Sequence, residues 1–171
     1  MDSSSNSVKK ALFLDRDGVI NIDHGYVYEI EKFHFVDGIV DLVSRAVNEG
    51  YIPIVITNQS GIGRGYYSED DFERVTSFML ERFAERGVHM DRDAIFHCPH
   101  APEDECDCRK PRPGMILEAS SRFDIDLPSS IMIGDKTSDM EAAERAGVGR
   151  KILVEKDKKI EWERLFDGFQ R

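Results

Sequence analysis

Ala11-Leu12-Phe13-Leu14-Asp15-Arg16-Asp17-Gly18 runs four apolar residues directly into two carboxylates and a glycine. A short wholly apolar run is the pattern of a strand covered on both faces. Working outward, residues 52–57, 94–96, 131–133 and 151–154 repeat that pattern, with helical patterns between them. Alternation of this kind predicts an α/β fold, a parallel sheet flanked by crossover helices in a Rossmann-like arrangement.

The helices are expected over 39–48, where Val40, Val43 and Val47 keep helical spacing, and from Ser68, which with Asp71 forms a capping box. Phe72, Val75, Met79 and Phe83 supply the apolar stripe of that second helix, and Gly87 closes it. A third follows Pro113 and Gly114 to about Phe123, a fourth covers 138–146, and a last covers 159–166 with Trp162 packed back on the body. Residues 1–8 read as a flexible lead-in and 9–171 as one domain.

Composition narrows the classes of function. The chain carries 23 basic and 33 acidic residues, a net charge of −10. Nucleic acid and anionic membranes need a basic footprint, so neither is expected as a partner. No apolar run approaches the roughly 20 residues of a membrane span, and the polar N-terminus lacks a signal peptide's apolar segment. A cytoplasmic, monomeric protein acting on a small molecule is the expectation.

In parallel sheets, ligands bind beyond the carboxyl ends of the strands. Asp15 and Asp17 follow the first strand, Thr57, Asn58 and Gln59 the second, and Gly134-Asp135-Lys136 the fourth. Two close carboxylates need a cation or a shared proton. Mg²⁺ held by Asp15 and Asp135 would supply the cation. Asp15 is then the nucleophile that forms an aspartyl-phosphate, and Asp17 the general acid and later base. Thr57 and Asn58 offer a hydroxyl and an amide to phosphoryl oxygens, and the turn Gln59-Ser60-Gly61-Ile62-Gly63 offers backbone amides. Lys110 would neutralise charge on the transferred group. Asp139 is read as orienting Lys136 or a metal-bound water, or as a plain N-terminal helix carboxylate.

Cys98-Pro99-His100 and Cys106-Asp107-Cys108 place three thiols and an imidazole within eleven residues. A Cys₃His set is a closed structural Zn²⁺ site, with His97 as the rival to His100 for the fourth position. Four protein ligands leave no open position, so the zinc would stiffen a loop and hold Arg109 and Lys110 in place.

Asp15-Arg16-Asp17-Gly18, Thr57-Asn58, Lys110 and Gly134-Asp135-Lys136-Thr137-Ser138-Asp139 resemble, in order, the four motifs of the haloacid dehalogenase (HAD) superfamily of phosphatases. Asp23-His24-Gly25-Tyr26-Val27, Thr57-Asn58-Gln59-Ser60-Gly61-Ile62, Cys98-Pro99-His100 and Cys106-Asp107-Cys108-Arg109-Lys110-Pro111 resemble its heptose-bisphosphate phosphatase group. The resemblance implies a single HAD domain without a large cap, and removal of the C7 phosphate from D-glycero-D-manno-heptose 1,7-bisphosphate. Either lipopolysaccharide or nucleotide-heptose synthesis could use the product. The resemblance also implies Mg²⁺ on Asp15, the Asp17 carbonyl and Asp135, and Zn²⁺ on Cys98, His100, Cys106 and Cys108. Catalysis falls to Asp15, Asp17, Thr57 and Lys110. Asp23, His24, Gly25, Tyr26, Thr57, Asn58, Gln59, Ser60, Arg109, Lys110 and Lys136 are implied to bind the sugar phosphate. Pro102-Glu103-Asp104-Glu105-Cys106-Asp107-Cys108 instead resembles the loop of histidinol-phosphate phosphatases, which keeps that substrate as the alternative.

Overall fold

The computed structural model describes residues 8–166, so the expectation of a flexible lead-in falls, apart from Val8, outside the described residues. Five parallel strands form one sheet among them. β1 (Lys10–Leu14), β2 (Tyr51–Asn58), β3 (Ile95–Cys98), β4 (Ile131–Gly134) and β5 (Arg150–Leu153) lie in the order β3-β2-β1-β4-β5. α1 (Ile39–Asn48) and α3 (Glu69–Glu85) cover one face, and α4 (Gly114–Phe123) and α5 (Thr137–Ala146) the other.

The two-residue period of β1 divides the core. Leu12 and Leu14 pack with Leu42, Phe72, Val75, Met79 and Phe83 on the first face. Ala11 and Phe13 pack with Met115, Ile116, Ala142 and Ala143 on the second. Both sets are essentially fully buried, which is why β1 reads as an unbroken apolar run.

The strands differ from the sequence expectations by a residue or two. β2 begins at Tyr51 and includes Pro53, which a central strand ordinarily excludes. Pro53 is paired to Leu12 of β1, while β3 begins its pairing only at Val55, so at Pro53 the ladder has one neighbour. β3 runs on to Cys98, which puts the first thiol at the strand end. α3 opens with the expected Ser68–Asp71 capping box, both bonds of which are present.

The last helix is corrected. Only Trp162–Leu165, α6, is helical, and residues 159–161 are not. The backbone there is engaged by the body of the protein: Asp157 N–H donates to the Gly18 carbonyl (2.9 Å) and Ile160 N–H to that of Asp37 (3.0 Å). Trp162 does pack back, buried beneath the Arg45 guanidinium. Residues 60–63, expected as an open turn, coil into the one-turn helix α2 (Ser60–Gly63).

The chain adds β2 and β3 on one side of β1, then returns to add β4 and β5 on the other. That reversal makes a switch point between the carboxyl ends of β1 and β4, where open α/β sheets form their crevices.

Candidate active site

A cleft of about 520 Å³ opens at this switch point. Asp15, one residue beyond β1, lines it, and Asp135, one beyond β4, lies against Asp15: one carboxylate oxygen from each of Asp15, Asp135 and Asp139 lies within 4.8 Å of the other two.

Lys110 reaches the same spot from the loop after β3. Its Nζ donates to Asp15 Oδ1 (2.9 Å) and to the Ile56 carbonyl (2.8 Å), and pairs with Asp139 Oδ1 (2.6 Å). Burial alone would lower the lysine's pKa, but the charges of Asp15 and Asp139 outweigh it and hold the ammonium protonated. Burial likewise pushes Asp15 upward, and the Lys110 and Lys136 charges reverse that and leave it below the ordinary carboxylate value. These charges favour the ionised form of Asp15, the state a nucleophile needs.

Asp139 does something other than the sequence reading expected. Its Oδ2 accepts the backbone N–H groups of Asp135 and Lys136 (3.1 Å each) and its Oδ1 holds Lys110. It clamps the turn after β4 and anchors the Lys110 ammonium.

Asp135 is different. Burial, and then the neighbouring Asp15, raises its pKa to about 7. Its Oδ1 is buried with no hydrogen-bond partner. An orphaned oxygen beside an ionised carboxylate fits a hard divalent cation that takes oxygen ligands.

Asp17 sits at the cleft wall in a dense set of donors. Arg16 Nε (3.1 Å) and Nη2 (2.8 Å) and Asn21 Nδ2 (2.9 Å) all donate to its Oδ1, and Gln59 Nε2 (3.2 Å) donates to Oδ2. Arg16 is 1% exposed and also donates to the Val27 carbonyl, which ties this corner to the segment after Asp23.

That segment bends sharply through Gly25 (φ +78°) and Tyr26 (φ +52°). The bend is held because Gly25 N–H donates to Asp23 Oδ1 and Asp23 N–H to Asp157 Oδ1, both at 2.9 Å. Asp23, Gly25 and Tyr26 line the cleft with Asn58, Gln59, Ser60, Arg109, Lys110 and Lys136. His24 is not among the lining residues and meets His34 edge to face. Thr57 is buried just behind the lining, its Oγ1 accepting from Gln59 Nε2 (2.9 Å).

Asn58 spends its amide on the protein. Lys110 N–H donates to its Oδ1 (3.0 Å) and its Nδ2 donates to the Lys110 carbonyl (3.3 Å), so it pins the backbone that carries the Lys110 side chain. Arg109 retains a buried Nη1 without a partner at the cleft edge, a donor suited to an anion. Residues that sequence reasoning missed are Tyr67, which lines the cleft, and Asn21 and Asp157. Asn21 stands in the same loop as Asp17, but neither its spacing nor that of Tyr67 carries a recognisable signal.

Behind this wall, Cys98, His100, Cys106 and Cys108 form one cluster. Sγ of Cys98 lies 2.8 Å from that of Cys108 and 3.5 Å from that of Cys106, and His100 Nδ1 lies 3.3 Å from both Cys98 and Cys108. Three thiols and one imidazole nitrogen facing a common point match a tetrahedral zinc donor set. The rival, His97, faces away: it stacks on Phe72 and its Nε2 is 2.7 Å from Glu69. The cluster is welded to the second strand end, since Gln59 N–H donates to the Cys98 carbonyl (2.8 Å) and Gly63 N–H to that of Pro99 (2.7 Å). That amide of the 60–63 segment is thus not available to an anion.

Comparison with known proteins agrees with this geometry. A family profile described as HAD-hydrolase-like matches residues 107–164. The chain is 51% identical over 150 residues to D-glycero-alpha-D-manno-heptose-1,7-bisphosphate 7-phosphatase of Campylobacter jejuni, covering 88% of this chain and 85% of the relative. It is 49% identical over 159 residues to the D-glycero-beta-D-manno-heptose-1,7-bisphosphate 7-phosphatase of Vibrio cholerae, covering 89% and 84%. The crystal structure of D,D-heptose 1,7-bisphosphate phosphatase from B. bronchiseptica, complexed with magnesium and phosphate, superposes with a TM-score of 0.78 at 35% identity, covering 84% of this chain and 79% of that one. With half its residues shared over nearly nine-tenths of its length, and with the same fold, the chain belongs to the heptose-1,7-bisphosphate 7-phosphatases of the HAD superfamily.

Proposed function

We propose that this protein hydrolyses the C7 phosphate ester of D-glycero-D-manno-heptose 1,7-bisphosphate through an aspartyl-phosphate on Asp15. The observation that carries the reading is the buried Asp15 carboxylate held 2.9 Å from the Lys110 ammonium at the sheet's switch point.

Asp15 attacks phosphorus, and Asp17 protonates the departing sugar oxygen. Lys110, and Thr57 from behind, meet the charge that develops on the phosphoryl oxygens. In the second half-reaction Asp17 takes a proton from the water that attacks the phosphoenzyme, and inorganic phosphate leaves. Asp15, Asp135 and the Asp17 carbonyl would hold Mg²⁺, which supplies charge neutralisation for the transferring group. Asp23, Gly25, Tyr26, Ser60, Arg109 and Lys136 line the space for the sugar and its second phosphate. Cys98, His100, Cys106 and Cys108 would hold Zn²⁺, with a structural role in fixing the loop that carries Arg109 and Lys110.

Phosphate release from both anomers of the heptose bisphosphate, and from histidinol phosphate, tests the reading. The heptose compounds should be preferred by at least an order of magnitude, and Asp15→Asn should reduce turnover about a thousand-fold or more with the fold intact. Preference for histidinol phosphate would replace the substrate, and activity unaffected by Asp15→Asn would remove the mechanism.

A further inference from the structure

We propose that Tyr67 is a positioning residue for the general acid: through Gln59 it fixes the orientation of the Asp17 carboxylate in the cleft. This rests on the phosphatase reading above and deepens it.

The chain of contacts has a direction. Tyr67 is 7% exposed, and its hydroxyl donates to Gln59 Oε1 at 2.5 Å. Burial keeps the phenol protonated far above its ordinary range, so it serves as a donor. With Oε1 occupied, the Gln59 Nε2 must face the other way, and it donates to Asp17 Oδ2 (3.2 Å) and Thr57 Oγ1 (2.9 Å). A flipped amide would turn its oxygen toward the Asp17 carboxylate and its NH₂ toward a hydroxyl that is itself a donor.

The two Asp17 oxygens are unequal. Oδ1 receives two contacts from the buried Arg16 guanidinium and one from Asn21. Charge-assisted bonds of this kind concentrate negative charge on the oxygen that accepts them. Oδ2 has the single Gln59 contact, at 3.2 Å, so Gln59 is the contact that orients it. As the ester P–O bond breaks and the Asp15–phosphorus bond forms, the general acid's proton passes from Asp17 to the leaving sugar oxygen. Asp17 recovers a proton from the hydrolytic water in the next step. Tyr67 loses none.

The tyrosine is itself held. Its ring stacks on Tyr28 with centroids 5.0 Å apart, and a Cβ at Gly61 would stand 2.2 Å from Tyr67 Cε1. Glycine at 61 is therefore needed for the tyrosine to reach Gln59.

Tyr67→Phe, Gln59→Leu and the double variant, each magnesium-loaded and full length, are to be compared with wild type. The substrates are a sugar phosphate, whose alkoxide must be protonated to leave, and p-nitrophenyl phosphate, whose leaving group departs without a proton. Tyr67→Phe should lower kcat/KM about ten-fold on the sugar phosphate and by less than about three-fold on p-nitrophenyl phosphate, with KM nearly unchanged. In the Gln59→Leu background it should cost nothing further, because the two side chains act as one unit. No loss, equal loss on both substrates, or additive losses would overturn the proposal. If Gln59→Leu does not fold, the two-substrate ratio for Tyr67→Phe decides alone. Absence of phosphate release by wild type on either substrate would instead remove the phosphatase reading itself.

Discussion

The ammonium of Lys110 lies in the interior between two carboxylates, Asp15 at 2.9 Å and Asp139 at 2.6 Å. Removing one partner of a buried charged set leaves the others uncompensated. Lys110→Met should therefore abolish turnover and also lower stability by about 3 kcal/mol, measured by urea unfolding. Asp139→Asn keeps an acceptor for the Asp135 and Lys136 amides but drops the charge that holds Lys110. It should lower kcat about ten-fold with a smaller stability loss. Equal kcat for wild type and Asp139→Asn would show that the anchor is not needed. Asp15 and Asp135 were legible in the sequence because each directly follows an apolar run and so falls at a strand end, and Lys110 because it stands between Arg109 and Pro111 beside the cysteine cluster. The work of Asp139 and Asn58 was not, because both act on Lys110, whose contacts exist only once three loops have folded together. Tyr67 was equally hidden, as its partner Gln59 is eight residues away and nothing in that spacing signals a bond.

At the scale of elements, the loop from β3 to α4 carries both the thiol cluster and Lys110. Cys108 and Lys110 are two residues apart, so order in the cluster is order in the lysine. The purified protein should contain about one zinc per chain. Chelation, or Cys108→Ser, should lower the melting temperature and the phosphatase rate together. Zinc loss with both unchanged would contradict that coupling. The cluster also leans on α2, where a Cβ at Gly63 would meet the Pro99 carbonyl at 2.7 Å and the Ala101 nitrogen at 2.9 Å. Gly63→Ala should cost about 1–3 kcal/mol and loosen zinc retention, measured by competition with a chromogenic chelator. Strands were legible to within a residue or two because their apolar runs are buried on both faces. The final helix was overextended because helical spacing in 159–166 does not reveal that Glu161 is extended (φ −135°, ψ 134°), so that the helix opens only at Trp162.

Across the whole molecule, the strand order β3-β2-β1-β4-β5 brings together groups more than 100 residues apart, with Asp15 from the first strand end facing Asp135 from the fourth. A net charge of −10 makes the surface hostile to a bisphosphate, so the cations gathered at the cleft, Arg109, Lys110 and Lys136, must do the local work of attraction. Relatives named for the alpha and for the beta anomer match this chain almost equally well, at 51% and 49% identity. The central claim is that Asp15 takes the phosphoryl group from C7. Rapid quenching of the magnesium-loaded enzyme with heptose bisphosphate labelled at the C7 phosphate tests this most directly, by following label into protein and mapping it. The account predicts transient labelling of Asp15, heptose 1-phosphate as product, and neither in Asp15→Asn. Release of the C1 phosphate, or turnover without label on Asp15, would contradict it.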